Sequence, residues 1–448
     1  MPTMSQSQPS HCVAVIGGAV AGAEMAGALA ARGVEVVVFE QNPRPYGKIE
    51  DGLPRWHVAL RNKEYATIGK HLSQSGVHFL PQTEVGRDVD FTDLVSKWGF
   101  SGVVLACGAW RDRALPVEGA DDWVGKGLIY QNPFIVWFNH LGEEGYDGPT
   151  FEAQDGAIVV GGGLASIDVA KVLMLETTRA KLAERGIEQE MTELEVKGIP
   201  KILGRHGLAW EDLGLEGCTI YYRRDAESMP LAEVPEGADE KRVAKVRASR
   251  RKLLDKAMEK FRFKLEPLCM PDGLIIENDR LVGLRFRRTQ MESGRPVPSD
   301  ETFEARGPCV ISSIGSIPLP IEGIPMKGEL FDFTDWDLGR LAAFPTVFST
   351  GNVATGKGNI IASRKHAKVV AATIAEAFLG LGHDGHDGEE AAADAAHAQA
   401  REQAEQVANE ITRQPPLPPG TVDSIRTRVS ERQQDLGYTD YESWLVSH

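Results

Sequence analysis

The chain has 448 residues, of which 42% are hydrophobic and 25% charged, and its formal net charge is −15. This length suffices for two or three domains with separate cores. The acidic balance excludes a protein that mainly binds nucleic acid, because phosphate binding needs a dominant basic surface.

The five cysteines, Cys12, Cys107, Cys218, Cys269 and Cys309, stand singly and form no C-x-x-C pair. This excludes a redox dithiol or an iron–sulfur ligand set within the chain and is typical of a reducing compartment. No apolar run reaches the roughly 18 residues of a membrane span, and the first ten residues do not resemble a secretory signal. We therefore expect a cytoplasmic protein with no membrane partner.

The first predicted unit of structure is a strand over 12–16, a helix over 23–32 and a second strand over 34–40. A glycine-rich loop joins the first strand to the helix, and this β–loop–α–β context is typical of dinucleotide-binding sites. The residues expected to contact the dinucleotide are Gly17, Gly18, Ala19 and Gly22. Ala19 stands where the usual middle glycine would be, so we expect it to crowd the pyrophosphate slightly. The alternative is a tight turn with no ligand.

A second unit of the same kind begins with a strand over 157–160 and a helix over 166–175. Its loop, 144 residues after the first, offers Gly161, Gly163, Leu164 and Ala165 to a second dinucleotide. The return strand, 218–222, follows a mostly helical stretch of charged sequence. Further strands that end in glycine turns are predicted over 102–109, 310–315 and 347–351, and a helix over 360–381.

Different charges follow the two loops. Glu40, at the end of the first return strand, can accept hydrogen bonds from a ribose diol and repels a 2′-phosphate, which favours FAD or NAD. Arg223 and Arg224, at the end of the second return strand, can bind a ribose 2′-phosphate bidentately and favour NADPH. The alternative for the arginines is an exposed pair at a strand end.

The stretch from Lys241 to Lys264 carries eleven Lys or Arg residues against two acids. It is either a solvated helix or a docking surface for an acidic electron-transfer protein. From residue 383 onwards we expect a polar hinge, a helix over 389–411, a proline-rich break and an amphipathic segment over 422–445. This extension would serve as a lid or as the arm of a homodimer. His383 and His386 fit a solvated linker better than a metal site.

With these features the chain resembles adrenodoxin reductase and the bacterial ferredoxin–NADP reductases, with the small subunit of glutamate synthase as a more distant relative. The resemblance covers about residues 10–380 and rests, besides the second loop, on residues 45–47, 52–57, 84–89, 107–109, 134–139, 168–170, 222–224 and 312–315. It implies an α/β fold of two Rossmann-like, glutathione reductase-type domains plus a helical C-terminal extension. The FAD domain would comprise 1–112 and 312–382, the NADP(H) domain 113–311 and the extension 383–448.

The resemblance also implies further site residues. His57 would lie near the flavin ring, and Glu233 or Glu236 would help to place the nicotinamide. Other residues implied in FAD binding are Gly47, Gly108, Gly351, Asn352, Gly358, Asn359 and Ile360. Asn352 replaces a more usual Asp, and Lys357 a more usual Pro.

The expected activity is hydride transfer from NADPH to FAD, followed by single-electron transfer to a ferredoxin-like iron–sulfur protein or a flavodoxin. Because the chain has no cysteine cluster, the acceptor must be another protein. The alternatives are a reductase subunit of a larger enzyme, as in glutamate synthase, a flavin oxidase or monooxygenase, or a cofactor-bound interaction module.

Overall fold

The computed structural model describes residues 9–235, 237–356, 358–381 and 411–448. The chain divides into two compact units. The first takes the described residues of Met1–Glu50, Val58–Arg111 and Ile317–His448, and the second takes Asp51–His57 and Asp112–Ser316.

The first unit contains a five-stranded sheet in the order β19-β4-β1-β2-β3, and each of its pairs is parallel. These strands are β1 (Cys12–Ile16), β2 (Glu35–Phe39), β3 (Val77–Leu80), β4 (Gly102–Leu105) and β19 (Val347–Ser349). Its helices are α1 (Val20–Ala30), α2 (Val58–Leu72), α3 (Phe91–Ser96), α9 (Asn352–Thr355), α10 (Ile360–Thr373), α11 (Thr421–Asp435) and α12 (Tyr441–Ser447). The short strands are β15 (Met326–Lys327), β16 (Leu330–Phe331), β17 (Phe333–Asp335) and β18 (Arg340–Leu341).

The apolar strands β1 and β2 are buried along their whole length. Such continuous burial is expected when helices cover both faces of a parallel sheet. One core lies between this sheet and α1, and α10 packs on α1. A second core, on the other face, includes Leu80, Phe91, Leu105 and Val347.

The second unit contains another five-stranded parallel sheet, in the order β6-β13-β7-β8-β9. These strands are β6 (Leu128–Tyr130), β7 (Ile158–Gly161), β8 (Thr219–Tyr222), β9 (Lys264–Pro267) and β13 (Val310–Ser313). The helices are α4 (Gln131–His140), α5 (Leu164–Ala183), α6 (Met191–Lys197), α7 (Ile199–Arg205) and α8 (Glu240–Phe261). Three long antiparallel strands, β10 (Cys269–Glu277), β11 (Arg280–Glu292) and β12 (Arg295–Arg306), form a separate sheet. At the ends of this unit lie β5 (Arg111–Asp112) and β14 (Ser316–Ile317).

The C-terminal end of the predicted 360–381 helix differs from the expectation. Helix α10 ends at Thr373, and a π-helical turn, Ile374–Phe378, follows it. The amphipathic segment predicted over 422–445 forms two helices, α11 and α12, because the turn around Gly437 separates them. The helix predicted over 389–411 lies outside the described residues except for Ile411. His383 and His386 also lie outside them.

Candidate functional site

The first glycine loop joins β1 to α1 and is closely packed. A Cβ atom at Gly17 would lie 2.7 Å from the carbonyl oxygen of Ala106, and φ of Gly17 is +100°. A Cβ atom at Gly22 would lie 1.8 Å from the carbonyl oxygen of Gly17. Backbone atoms cannot yield to such contacts, so both positions require glycine.

Glu40 binds the loop directly. Its carboxylate, only 5% exposed, accepts hydrogen bonds from the backbone N–H of Gly18 at 2.8 Å and of Asn42 at 3.0 Å. A carboxylate has about four acceptor sites and is the kind of group that accepts hydrogen bonds from a ribose diol in such folds. Glu40 thus fixes the loop and places a buried negative charge beside it.

Ala19 faces Gly47. A Cβ atom at Gly47 would lie 3.0 Å from the Cβ atom of Ala19, and φ of Gly47 is +48°. The loop therefore has a methyl group where the motif usually has none, and the missing side chain at Gly47 makes room for it.

The remaining residues predicted to bind the first dinucleotide lie past the carboxyl ends of β4 and β19. Gly108 and Gly351 have φ of +71° and +76°, and a Cβ atom at Gly351 would lie 2.7 Å from the Cβ atom of Ala21 in α1. Parallel strands end at one edge of a sheet, so the first unit brings Gly108 and Gly351 to the edge that carries the loop.

Asn352 supplies a direct test of whether a cofactor fits here. Its Oδ1 atom is buried and has no hydrogen-bond partner among the described residues. A Cβ atom at Gly358 would lie 3.5 Å from Asn352 Nδ2. Asn359 caps α10 by accepting a hydrogen bond from the N–H of Ala362 at 2.7 Å, and Ile360 is the first residue of that helix. A buried acceptor without a donor is costly, and a ribityl hydroxyl would supply the donor. The residues present therefore fit FAD, while Lys357 lies outside the described residues.

The second loop, between β7 and α5, has the same requirements. A Cβ atom at Gly161 would lie 2.2 Å from the carbonyl oxygen of Ser313. Ser166, in place of the third glycine, is fully buried and its hydroxyl donates to that same carbonyl at 3.1 Å. The serine thus joins the helix to β13 at the point where close helix–sheet contact is needed.

Gly163 differs from the glycines before it, because nothing lies within 4 Å of its Cβ position. It precedes the first turn of α5, where Leu164 is 55% exposed and Ala165 is also exposed. The N–H groups of a helix N-terminus attract anions. The space beside Gly163 is therefore suited to a pyrophosphate.

Arg223 and Arg224 follow β8, the direct neighbour of β7 in the sheet. Their backbone carbonyls are held by the hydroxyl of Thr289 at 2.8 Å and by the N–H of Leu268 at 3.2 Å. Within the described part of the chain, neither guanidinium forms an ion pair. A fixed backbone with unpaired guanidiniums fits a 2′-phosphate ligand.

His57 lies in the short segment Asp51–His57, which groups with the second unit. Asn139 of α4 holds this segment: its Oδ1 accepts from the N–H of Arg55 at 2.9 Å, and its Nδ2 donates to the carbonyl of Leu53 at 3.1 Å. The structure therefore does not place His57 in the same unit as the first loop, and its catalytic role stays a prediction.

Glu233 is exposed and lies in the stretch between the turn Ala226–Ser228 and α8. The guanidinium of Arg250 holds this stretch by donating two hydrogen bonds, of 2.8 and 2.6 Å, to the carbonyl of Ala232. Glu236, the other candidate, lies outside the described residues. The role of Glu233 in placing the nicotinamide also stays a prediction.

A polar cluster that the sequence did not predict follows the second loop. Lys171 of α5 pairs with Glu195 at 2.8 Å and lies 3.9 Å from Asp168, one turn earlier on the same helix. The Lys171 ammonium also lies 4.5 Å from the ring centre of Trp56. Burial raises the pKa of the Asp168 carboxyl to about 6, although Lys171 lowers it. Spacing alone gives no sign of this cluster, because its acids and lysine look like a solvated helix face.

We expect Asp168→Asn to stabilise the protein at alkaline pH and not at acid pH. The pKa of Asp168, about 6, lies above its ordinary value, so ionisation opposes folding. The penalty is absent below about pH 4 and complete above about pH 6. The free energy of unfolding of Asp168→Asn should exceed that of the unmodified protein by about 2–3 kcal/mol at pH 8, and by about zero at pH 4. Urea denaturation at both pH values measures this, and an equal difference at both would contradict the assignment.

Comparison with known proteins agrees with this geometry. Residues 13–187 match the family model "Pyridine nucleotide-disulphide oxidoreductase". The chain is 24% identical over 419 residues to mitochondrial NADPH:adrenodoxin oxidoreductase of Arabidopsis thaliana, covering 83% of each chain. It is 26% identical over 301 residues to the NADPH glutamate synthase small chain of Escherichia coli, covering 65% of this chain and 49% of the other.

A solved structure shares the fold. The Mycobacterium tuberculosis protein FprA, in its complex with NADPH, superposes with a TM-score of 0.65 and 18% identity over 95% of this chain and 90% of FprA. This likeness confirms the predicted α/β fold with two Rossmann-like domains.

Two parallel sheets, each with a glycine loop between one of its strands and the helix that follows, are typical of proteins that bind two dinucleotides. More particularly, the chain is similar in sequence to NADPH:adrenodoxin oxidoreductase and in fold to FprA, which was solved in complex with NADPH. The predicted family resemblance is thereby confirmed, and the predicted enzyme class and cofactors agree with these comparisons. Among the described residues, no helix is long and apolar enough to cross a bilayer, and no cluster of His, Cys, Asp or Glu could hold a metal ion.

Proposed function

We propose that the first unit binds FAD, that the second binds NADPH, and that the chain passes reducing equivalents from NADPH to a ferredoxin-like or flavodoxin partner. The observation that carries this proposal is the contrast in charge beside the two loops. The buried carboxylate of Glu40 binds the first loop. Arg223 and Arg224, whose guanidiniums form no ion pair with any described residue, follow the strand next to the second loop. A 2′-phosphate is repelled by the first site and attracted by the second.

Different residues of the chain would bind the two cofactors. Gly17 and Gly22 allow the first loop to turn close to the sheet, and Asn352 offers its buried oxygen to the ribityl chain. Gly163 leaves room for the NADPH pyrophosphate at the start of α5. Bound FAD supplies the chemistry that lets a hydride from NADPH leave as single electrons.

The basic helix α8 supports the choice of an acidic protein partner. Its buried residues Val246, Leu254 and Phe261 lie on one face, and the last two belong to the core of the second unit. Six exposed cations of the helix form no ion pair in the described part of the chain: Lys241, Arg242, Lys245, Arg247, Lys252 and Lys256. A field of one sign on an otherwise acidic protein steers an acidic partner.

We expect Lys245→Glu combined with Lys252→Glu to slow ferredoxin reduction about tenfold at low ionic strength, since reversal of two charges weakens electrostatic steering. The difference should shrink at roughly 0.5 M salt, where exposed charges are screened. Stopped-flow kinetics with ferredoxin measure the rate, and a small dye acceptor should be reduced at the unmodified rate. Lys63→Glu combined with Lys70→Glu, two exposed changes on α2 of the first unit, is the matched control. Equal slowing in both double variants would contradict the assignment of α8 as the docking surface.

The direct test of the proposal is flavin content and flavin reduction. The purified protein should carry FAD, identified by chromatography after denaturation, and NADPH should bleach the flavin absorbance far faster than NADH under anaerobic conditions. A protein without flavin, or a flavin that NADPH leaves oxidised, would overturn the proposal. Steady oxygen consumption without any acceptor would favour the oxidase alternative instead.

The similarity to glutamate synthase small chains keeps a reductase subunit as the second candidate. The chain spans 36% and 49% of the lengths of the Bacillus subtilis and Escherichia coli proteins. Co-purification of a large partner subunit from the native source would favour this function over exchange with a free ferredoxin. The homodimer and the cytoplasmic location stay predictions, and sedimentation velocity would test the former.

A further inference from the structure

The C-terminal residues have a defined place in the first unit. Val422, Ile425 and Val429 of α11 belong to one of its hydrophobic cores, and Tyr441 and Trp444 of α12 belong to the other. Tyr441 is 7% exposed and Trp444 is 4% exposed. Helices whose large side chains are already buried in this way cannot offer those side chains to a second copy of the chain.

Helix α11 lies along the edge of the first sheet. Gln433 Nε2 donates a hydrogen bond of 2.8 Å to the carbonyl of Phe79 in β3, the edge strand. Arg426 pairs at 2.9 Å with the buried carboxylate of Glu35 in β2. The helix thereby satisfies polar groups at an edge that would otherwise face solvent.

Helix α12 holds the segment that follows Glu40. The indole N–H of Trp444 donates to the carbonyl of Pro43 at 2.7 Å. The ring of Tyr441 lies 5.4 Å from the ring of Phe79 in an edge-to-face contact. Both contacts join residues about 360–400 positions apart in sequence, and both bear on the carboxyl ends of β2 and β3.

That segment is in turn packed on the first glycine loop. A Cβ atom at Gly18 would lie 2.9 Å from the Cβ atom of Pro45 and 3.5 Å from the ring of Phe79. In the same way, a Cβ atom at Gly47 would lie 3.0 Å from the Cβ atom of Ala19. The segment 42–47 therefore packs on the loop and is also held by α12.

We infer that α11 and α12 are a positioning element of the FAD site: by fixing segment 42–47 against Gly18 and Ala19, they set the affinity for the adenosine and pyrophosphate half of FAD. This inference rests on the proposed assignment of FAD to the first unit. Trp444 acts through Pro43 and is a positioning residue, not a ligand of the cofactor. This role differs from the lid or homodimer arm expected from the sequence, which stays a prediction.

The test uses the full chain with Trp444→Phe, which keeps an aromatic ring in the core and removes only the N–H donor. Gln433→Ala is a second variant that removes the bond to Phe79. The matched control is Arg428→Ala, since Arg428 lies on α11 but contacts Lys97 and Trp98. Two quantities are measured: hydrogen exchange of the amides of residues 42, 44, 46 and 47 in the apoprotein, and the Kd of FAD by fluorescence titration.

We expect Trp444→Phe to speed exchange in segment 42–47 and to raise the Kd of FAD roughly threefold to tenfold, the size of one lost hydrogen bond. The Kd of NADPH should not change, because the second loop lies in the other unit. The inference is overturned if FAD affinity is unchanged, or if exchange rises throughout the first unit and the control loses as much affinity. If the unmodified protein binds no FAD, the proposed function fails together with the inference, even if exchange in 42–47 becomes faster in Trp444→Phe. If the unmodified protein binds FAD and Trp444→Phe binds it equally tightly, the inference alone is overturned.

Discussion

Replacing Arg223 and Arg224 together by alanine should weaken NADPH binding by about two to three orders of magnitude and leave NADH binding within about threefold. Each hydrogen bond between a guanidinium and a phosphate contributes about 1.5–3 kcal/mol, and NADH has no 2′-phosphate to lose. The effect should be large because neither guanidinium has a competing ion pair among the described residues. The measurement is the Kd of each nucleotide from single-turnover flavin reduction.

Arg280→Ala combined with Arg295→Ala is the control for this double variant, because it removes two exposed arginines from the antiparallel sheet of the same unit. It should leave both nucleotides unaffected. A loss of NADPH and NADH affinity by the same factor in the Arg223/Arg224 variant would contradict the assignment of a 2′-phosphate site.

Gly163→Val should raise the Kd of NADPH about fiftyfold or more without destabilising the protein. The space around the Cβ position of Gly163 is open and its φ of −88° is accessible to any residue, so the free protein accommodates valine. A pyrophosphate at the start of α5 would need the same space. Isothermal titration gives the NADPH affinity, while thermal unfolding should change by no more than about 2 °C.

Gly204→Val in α7 is the matched change, since nothing lies within 4 Å of its Cβ position either and it lies in another helix of the same unit. The FAD content of both variants should equal that of the unmodified protein. NADPH binding by Gly163→Val as tight as in the unmodified protein would place the pyrophosphate elsewhere.

The glycine loops could be predicted from sequence because their requirements are local. A buried strand, a turn that excludes Cβ atoms and a helix follow one another within about twenty residues, and the structure shows the expected close contacts at Gly17, Gly22 and Gly161. Glu40 and the arginine pair were found for the same reason, since a βαβ unit places the end of its second strand beside the loop. The additional hydrogen bond from Gly18 to Glu40 could not be predicted, because it depends on how closely the loop approaches β2.

The antiparallel sheet of β10, β11 and β12 was not predicted. Its strand β12 is largely exposed and contains Pro296 and Pro298, so neither an alternating apolar pattern nor β-propensity marks that strand. The positions of α11 and α12 were missed for another reason. Their amphipathic pattern predicts helices with one buried face, but the partner of that face, such as Pro43 for Trp444, lies about 400 residues away.

The central claim, that the chain turns a hydride from NADPH into single electrons for a ferredoxin-like acceptor, is tested most directly by counting electrons. The FAD-loaded protein, reduced anaerobically with one equivalent of NADPH, is mixed with an excess of oxidised ferredoxin, and the ferredoxin absorbance is followed. The claim predicts two ferredoxins reduced for each NADPH oxidised, with NADH ineffective at the same concentration. Ferredoxin that stays oxidised while the flavin is fully reduced would contradict it.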